Sequence, residues 1–203
     1  MPIIKQTESS YTPAPEGTHP ARCYSMISLG TQVSANPQFK PSFQVVVGFE
    51  LPNEAVEING EKKPMAVSQF LNAYLGSPKK PSKTNLFLTA WRGRAFTESE
   101  LAGFDLSKVV GASCLLNIIH EVKDGKTREK IASISPLPKG MTMPLAQNKP
   151  IVYEVEQGRD AVFQKLPEWT QKMIEKCVEW THPAAAEDPE LEGGEEEDQN
   201  VPF

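Results

Sequence analysis

The sequence predicts a mainly β domain with α elements, and three observations lead to that prediction. Residues 43–51 place five apolar side chains on one face of an extended segment, which is the two-residue period of a β-strand. Asn59-Gly60 and Asp124-Gly125 are tight-turn signals, each of which can join two strands into a hairpin. The 18 prolines outnumber the 13 glycines and are spread along the chain, which favours strand ends and loops over a helical bundle.

The first half of the chain is predicted to contain a strand, a long loop, a second strand and a hairpin. Residues 1–20 are polar, carry four prolines and are predicted to form an N-terminal arm. The segments that follow are a strand over 21–30, a polar loop over 31–42, a strand over 43–51, and the segments 54–58 and 63–70, which pair across the Asn59-Gly60 turn.

Two of these strands carry a prediction about their faces. The odd-numbered apolar residues of 43–51 are expected to face the core. In the first strand, Cys23, Ile27 and Leu29 are expected to share one face. Tyr24 is then expected on the opposite face, where its ring can line an open groove.

The second half of the chain is predicted to alternate helices, strands and loops. Thr97 and Glu100 have the spacing of a capping box, which predicts the start of a short helix. The predicted elements, in chain order, are a basic connector over 76–84, a helix over 82–90, a short helix ending near Gly103, a hairpin of strands 112–122 and 126–135, a proline-rich loop over 136–150, a short strand over 151–155, and a helix over 167–180 with proline in its first turn.

Three strands, a helix and two further strands are the layout of the OB-fold, a partly open five-stranded barrel. In this prediction the helix lies between strands 3 and 4, and a C-terminal helix is added. A general α+β barrel or sandwich fits the same order. The chain is therefore divided into an N-terminal arm (1–20), an OB-fold domain (21–182) and a tail (183–203) that is disordered by composition.

The net charge of −5 combines an acidic tail with a basic body. Residues 184–203 contain eight acidic residues and no basic residue, which leaves 21 basic against 18 acidic residues in 1–183. Residues 62–130 contain twelve basic and six acidic residues. A body of this polarity indicates a polyanionic partner.

Enzyme signatures are absent from the sequence, so the chain is interpreted as a binding protein and not as an enzyme. It has no phosphate-binding loop, dinucleotide fingerprint, nucleophile elbow or zinc-protease motif. Cys23, Cys114 and Cys177 form no metal-ligand spacing with the three histidines, so no metal or cofactor is expected and the thiols are expected to be reduced. Without a signal sequence or an apolar run of about 20 residues, the predicted location is cytoplasmic, with no membrane partner.

Basic clusters and nearby aromatic residues are the candidate binding groups. A protein that holds single strands needs cations for the phosphates and aromatic faces for the bases, and in an OB-fold the loops after strands 1 and 4 flank the groove. The alternatives are that the clusters are ordinary solvated surface and that Trp91 packs inward. The candidate DNA-binding residues are Tyr24, Phe39, Lys40, Lys62, Lys63, Tyr74, Lys79, Lys80, Trp91, Arg92, Arg94, Lys123, Lys126, Arg128 and Lys130.

The C-terminus ends in the sequence EEEDQNVPF. It resembles the tip of bacterial and phage single-stranded DNA-binding proteins, in which an acid run precedes Ile-Pro-Phe or a close variant. A terminal aromatic residue with its own carboxylate fits an apolar pocket with a basic rim, and the acids steer it there. The candidate partner-binding residues are Asp198, Val201, Pro202 and Phe203. The alternative is a solubilising tail that ends in phenylalanine.

Four stretches of the body resemble single-stranded DNA-binding proteins of tailed bacteriophages. They are PEGTHPARCYSMISLGTQ (15–32), VVVGFELP (45–52), LTAWRGRAFTESELAGFDL (88–106) and IASISPLPKGM (131–141). The resemblance implies an OB-fold, binding of single-stranded DNA without sequence preference, and a role in phage DNA replication, recombination or repair in the bacterial cytoplasm. It also implies replication or repair proteins as partners of the tip, and a possible homo-oligomer.

Two other functions fit the sequence. One is a protein–protein adaptor or inhibitor with a β-barrel body, which would bind no oligonucleotide. The other is a recombination protein that also anneals complementary strands.

Overall fold

The computed structural model of the chain describes residues 11–58, 60–123 and 125–182. The fold is mainly β with a few short helices, as predicted. Its strands and α-helices are β1 (Gly17–Gln32), β2 (Ser42–Ile58), β3 (Glu61–Asn72), α1 (Lys83–Arg92), α2 (Glu98–Ala102), β4 (Ser113–Lys123), β5 (Lys126–Pro136), β6 (Ile151–Tyr153), α3 (Glu168–Ile174) and α4 (Val178–Thr181). Short 3-10 turns lie at Leu106–Val109, Val155–Gln157 and Phe163–Lys165.

The described strands form one sheet in the order β3-β2-β1-β4-β5, with antiparallel neighbours, and β6 pairs in parallel with β1. The long strand β1 joins the two halves of this sheet. Its first part, 17–22, pairs with β4, and its second part, 22–32, pairs with β2. In the described residues no ladder joins β3 to β5, so the sheet is not closed. The antiparallel sheet is thus confirmed, and the partly open five-stranded barrel of an OB-fold stays a prediction.

β1 changes the direction of its side chains at a bulge, and the predicted arrangement of its faces is wrong. The pairing with β2 shifts register between Cys23 and Ser25, and again between Ser28 and Gly30. Because a bulge adds one residue to a strand, the alternation of faces changes across it. Cys23 therefore belongs to one core cluster, and Ile27 and Leu29 belong to another. Tyr24, at the first bulge, is half-buried.

Two apolar clusters lie on opposite faces of β2. The inner core contains the odd-numbered residues of 45–51, as predicted, together with Leu88 and Trp91 of α1 and the buried side of β4. The outer core contains Val46, Ile27 and Leu29 of the sheet, covered by apolar side chains from the C-terminal segment 151–178. Every residue from 44 to 51 is consequently buried, which the alternating pattern alone did not indicate.

The predicted local helix signals are present, but the predicted C-terminal helix is wrong as a single element. Ser82 caps α1 by accepting a hydrogen bond from the Asn85 amide at 3.1 Å, and Thr97 and Glu100 form the expected capping box of α2. The predicted helix 167–180 is divided into α3 and α4, because Cys177 has an extended backbone that ends the helical path. This break places Cys177 in the outer core.

A candidate nucleic-acid interface

An open cleft of about 750 Å³ lies between the two edge strands of the sheet, β3 and β5. On the β3 side it is lined by Ala66, Ser68 and Phe70, which alternate with core residues and therefore share the outer face of the strand. The other lining residues are Lys126, Thr127, Arg128, Glu129 and Ile131 of β5, Trp169 of α3, Val67, and Tyr11 and Pro13 from the segment before β1.

Trp169 supplies a partly open aromatic ring to this cleft. It lies at the start of α3 and its side chain is 42% exposed. Its ring packs against Phe70 with the centroids 6.0 Å apart and the planes inclined by 50°. Phe70 thus supports one part of the indole while another part remains accessible to solvent. Sequence reasoning did not identify Trp169 as a binding residue, because its helical spacing from Met173 and Cys177 indicated packing.

β5 contributes the cations of the cleft. Lys126 is exposed and Arg128 is half-buried, and both line the cavity. Glu129, which follows Arg128 in β5, accepts a hydrogen bond from the Tyr11 hydroxyl. Burial, and then this bond, raise the pKa of Tyr11 above its ordinary value.

Two histidines hold the segment before β1 against the sheet. His120 of β4 donates through Nε2 to the Ala14 carbonyl at 2.7 Å, and its amide donates to the Glu16 carboxylate at 2.8 Å. His19 donates through Nε2 to the Pro15 carbonyl at 2.9 Å. These bonds fix the chain that leads back to Tyr11 at the mouth of the cleft.

A loop covers the part of the outer face that belongs to β1 and β2. Glu50, which is 0% exposed, accepts backbone hydrogen bonds from Gln147 at 3.2 Å and from Asn148 at 2.8 Å. Arg22 lies 3.4 Å from the Glu50 carboxylate and donates to the Pro144 carbonyl at 2.8 Å. The loop 144–148 and the outer core therefore cover this face of β1 and β2, whereas Ala66 and Ser68 of β3, which line the cleft, are exposed.

Six of the predicted cations lie near the turns of two hairpins. β2 and β4 are both antiparallel to β1, so the β2–β3 and β4–β5 turns project from the same end of the sheet. Part of this charge is paired: Lys63 lies 3.4 Å from Glu61, and Lys130 lies 2.6 Å from Glu121. The six residues are Lys62, Lys63, Lys123, Lys126, Arg128 and Lys130.

A second group of predicted residues lies at the opposite end of β3. The Ala73 amide donates to the Phe43 carbonyl at 2.7 Å, so the loop before β2 and the loop after β3 leave the sheet side by side. Tyr74 is 45% exposed and Phe39 is half-buried. We call this group the connector patch, and its members are Phe39, Lys40, Tyr74, Lys79 and Lys80.

Trp91 does not present a ring to a ligand, and its assignment as a DNA-binding residue is corrected. Its side chain is 4% exposed, its Nε1 donates to the Ser113 carbonyl at 3.3 Å, and its ring centroid lies 5.1 Å from that of Phe49. A ring enclosed in this way has no free face on which a base could stack.

Arg92 and Arg94 are joined to one carboxylate, away from the residues that line the cleft. Arg94 makes two hydrogen bonds to Glu100, at 2.8 and 3.0 Å, and Arg92 binds the same group. The Arg94 guanidinium, with the Thr97 amide and Arg92, lowers the pKa of Glu100 to about 2. Arg92 also lies 4.3 Å from the centre of the Phe96 ring. Both guanidinium groups therefore have a role in the structure of this turn.

The remaining predictions concern metals, thiols, membranes and the tail. The described residues contain no group of three or more potential metal ligands, and none of the described helices has the length and apolar character needed to cross a membrane. Cys23, Cys114 and Cys177 are free and buried, and burial raises the pKa of Cys23 to about 12. The candidate partner-binding residues Asp198, Val201, Pro202 and Phe203 lie outside the described residues.

Neither a protein-family model nor the sequence of any curated protein matches this chain.

Proposed function

We propose that this protein binds single-stranded DNA without sequence preference and holds it in the cleft between β3 and β5. The observation that carries the proposal is the meeting of Trp169 and Phe70 with Lys126 and Arg128 on one open surface. Stacking on an aromatic ring contributes about 1–3 kcal/mol per base and tolerates any base, while cations follow the phosphates. An open cleft suits a flexible strand whose bases are unpaired.

The order of the strands supports the finer proposal of an OB-fold. β1 pairs with both β2 and β4, α1 lies between β3 and β4, and the remaining edges β3 and β5 face each other across the cleft. In OB-folds, oligonucleotides bind to the face of strands 2 and 3 and to the loops beside it. Because the loop 144–148 covers the β2 part of that face, we assign the ligand to the β3 part.

The biological role follows from the sequence resemblance. The protein would coat single strands during phage DNA replication, recombination or repair in the bacterial cytoplasm. The acidic tail, ending in Pro202 and Phe203, would recruit replication or repair proteins. The spacing of negative charge ahead of a terminal aromatic residue supports this part of the proposal.

Substitution of Trp169 tests the proposed site. Trp169→Ala removes the stacking surface, so the affinity for oligo-dT is expected to fall by about 5-fold to 150-fold, the equivalent of about 1–3 kcal/mol. Trp169→Phe keeps a ring and is expected to retain most of the affinity. Fluorescence anisotropy of labelled oligo-dT measures both, and duplex DNA of the same length is expected to bind much more weakly.

Two results would contradict the proposal. The first is the absence of oligo-dT binding by the intact protein at low salt. The second is an equal affinity for the wild type, Trp169→Ala and Trp169→Phe, with thermal unfolding confirming that all three are folded.

An exposed apolar side chain on the projecting hairpin favours a second candidate, the protein–protein adaptor. Val122, on β4, is 75% exposed. An adaptor that used Val122 would bind a protein partner, and its affinity for oligo-dT would be absent. Val122→Lys would then abolish partner capture, whereas under the DNA-binding proposal it leaves oligonucleotide affinity unchanged or slightly higher.

A further inference from the structure

We propose that Tyr11 is a second base-stacking residue of the cleft and that Glu129 of β5 holds its ring in position. The inference rests on the proposed function. It adds a ring on the β5 side of the cleft to the Trp169 ring, which packs on the β3 side. Bases of one single strand then contact two aromatic rings, while the cations of β5 contact the phosphates. Tyr11 is a binding residue in this arrangement, and Glu129 is a positioning residue.

Tyr11 has the position and the exposure that a stacking residue needs. It lines the same cleft as Trp169, and it is 58% exposed, so more than half of its surface is open to solvent. It contacts the sheet through its hydroxyl, which donates to the Glu129 carboxylate. A hydrogen bond at this end of the phenol leaves the faces of the ring available for stacking on a base.

The segment that carries Tyr11 is held at two points. Ala14 is 2% exposed in the inner core, and its carbonyl accepts a hydrogen bond from His120 Nε2 at 2.7 Å. The Tyr11 hydroxyl, at the other point, is bound to Glu129. Because His120 and Glu129 are paired across β4 and β5, both points lie at the same position of the sheet. A ring that is fixed before the strand binds loses little side-chain entropy on binding.

A cation lies beside the Tyr11 ring. Burial and Glu129 raise the pKa of the Tyr11 phenol, and the positive charge of Arg128 opposes this rise, so Arg128 lies close to the phenol. Arg128 also lines the cleft and immediately precedes Glu129 in β5. A base stacked on Tyr11 therefore brings its phosphate near a guanidinium group. Proteins that bind single strands use this combination of stacking and charge.

The acid in the cleft also fits this arrangement. A carboxylate repels the phosphates of a bound strand, so Glu129 alone lowers the affinity for a polyanion. Its charge, however, makes it a stronger acceptor for the Tyr11 hydroxyl than a neutral group would be. Glu129 therefore weakens the attraction for phosphates but fixes the ring on which a base stacks.

The first test separates stacking from charge with two ligands of equal length. Oligo-dT offers bases and phosphates, whereas an abasic strand offers the phosphates alone. Tyr11→Ala is measured in the full chain with both ligands. The matched control is Leu86→Ala, which removes a side chain that is 56% exposed on α1, outside the lining of the cleft. Fluorescence anisotropy at low salt gives the affinities, and thermal unfolding shows whether each variant is folded.

We expect Tyr11→Ala to bind oligo-dT about 5-fold to 150-fold more weakly than the wild type, which is the effect of one lost stacking contact. Its affinity for the abasic strand should equal that of the wild type, because the substitution removes no contact with a phosphate. Leu86→Ala should match the wild type for both ligands.

A second test isolates the positioning role of Glu129. Glu129→Gln and Glu129→Ala remove the same charge, but only Glu129→Gln keeps an oxygen that accepts from the Tyr11 hydroxyl. Glu129→Gln should therefore bind oligo-dT about 2-fold to 10-fold more tightly than Glu129→Ala, the range that one hydrogen bond accounts for. In the Tyr11→Phe background both variants should bind equally, since the hydroxyl is already absent. This comparison also decides the question if Tyr11→Ala is unfolded.

Three results would overturn the inference. The first is an equal loss of affinity for oligo-dT and for the abasic strand in Tyr11→Ala. The second is an oligo-dT affinity of Tyr11→Ala that equals or exceeds that of the wild type, and the third is equal oligo-dT binding by Glu129→Gln and Glu129→Ala. In each case a loss of affinity in Trp169→Ala would still support the proposed function. If the wild type bound no oligo-dT at low salt, both proposals would fail together.

Discussion

At the scale of single residues, Glu50 ties the loop 144–148 to the outer face of the sheet. Its carboxylate is fully buried and is bound by Arg22 and two backbone amides of that loop. A buried charge without partners is strongly unfavourable, so the loop and the carboxylate depend on each other. Glu50 therefore holds the loop over its own part of the outer face, and the outer core covers Val46 of the same strand.

We expect Glu50→Ala to destabilise the protein by about 3 kcal/mol, because Arg22 would remain partly buried without its partner. Chemical denaturation measures the change in the free energy of unfolding. Arg22→Met/Glu50→Leu, which removes both charges, should recover part of the loss. A loss well below about 1 kcal/mol for Glu50→Ala would show that the ion pair and loop contacts contribute little.

At the scale of elements, the short helix α4 is held to β1 by one carboxylate. Glu179 accepts hydrogen bonds from the Thr31 amide at 2.8 Å and from its hydroxyl at 2.7 Å. Gly30, with a φ of 71°, allows this approach, since a Cβ there would lie 2.6 Å from the Glu179 carboxylate. Helix α4 is therefore fixed by polar contacts as well as by the outer core.

These contacts predict that the stability of the fold depends on pH. Burial alone raises the pKa of Glu179, but the hydrogen bonds from Thr31 outweigh it and the pKa is lowered overall. A lowered pKa in the folded state stabilises the fold above the unfolded value of about 4.3, and this stability is lost as the pH falls through the folded value.

Glu179→Gln is expected to cost about 1 kcal/mol at neutral pH. The difference between wild type and variant should shrink as the pH falls below the unfolded value of about 4.3, as measured by urea denaturation at a series of pH values. A difference that did not depend on pH would show that the charge of Glu179 is irrelevant to the docking of α4.

Local elements were predictable from the sequence, and the elements that depend on distant contacts were not. The capping box at Thr97 and the strands on either side of the two Gly-containing turns depend on residues that are close in the sequence. The sequence pattern therefore predicts them directly. The break before Cys177 and the second buried face of β2 arise from contacts between β1 and the C-terminal segment. No local pattern encodes such contacts.

The candidate site was predictable in its chemistry and only partly in its residues. The cations Lys126 and Arg128 were identified from their position beside a hairpin turn, whereas Trp169 was interpreted as packing. In the structure Ile174 and Cys177 of the same apolar stripe are buried as predicted, but Thr170 is buried beside them while Trp169 is 42% exposed. Because threonine is not strongly hydrophobic, the apolar pattern of the sequence does not indicate that Thr170 is buried.

At the scale of the whole molecule, the basic body and the acidic tail should have opposite effects on the affinity for DNA. The full chain carries −5, and residues 1–183 contain three more basic than acidic residues. An acidic segment attached to the body lowers the positive potential that a polyanion meets. Binding should therefore be sensitive to both the tail and the salt concentration.

Deletion of residues 184–203 is expected to raise the affinity for oligo-dT several-fold at low salt. The two proteins should converge as the salt concentration rises, because screening removes the long-range effect of the tail. Deletion of Phe203 alone keeps the acids and should leave DNA affinity unchanged while it weakens partner capture. Weaker DNA binding by the truncated protein, with an unchanged melting temperature, would place part of the DNA site in the tail.

The parallel pairing of β1 with β6 has a consequence for synthesis on the ribosome. Ser25 pairs with Ile151, so a nascent chain has made its first strands long before the residues that shield Ile27 and Leu29 emerge. At roughly 5–20 residues per second, this interval is on the order of ten seconds. During that time an exposed apolar surface is accessible to chaperones and to other nascent chains. If translation stopped before β6, the released fragment would be prone to aggregate.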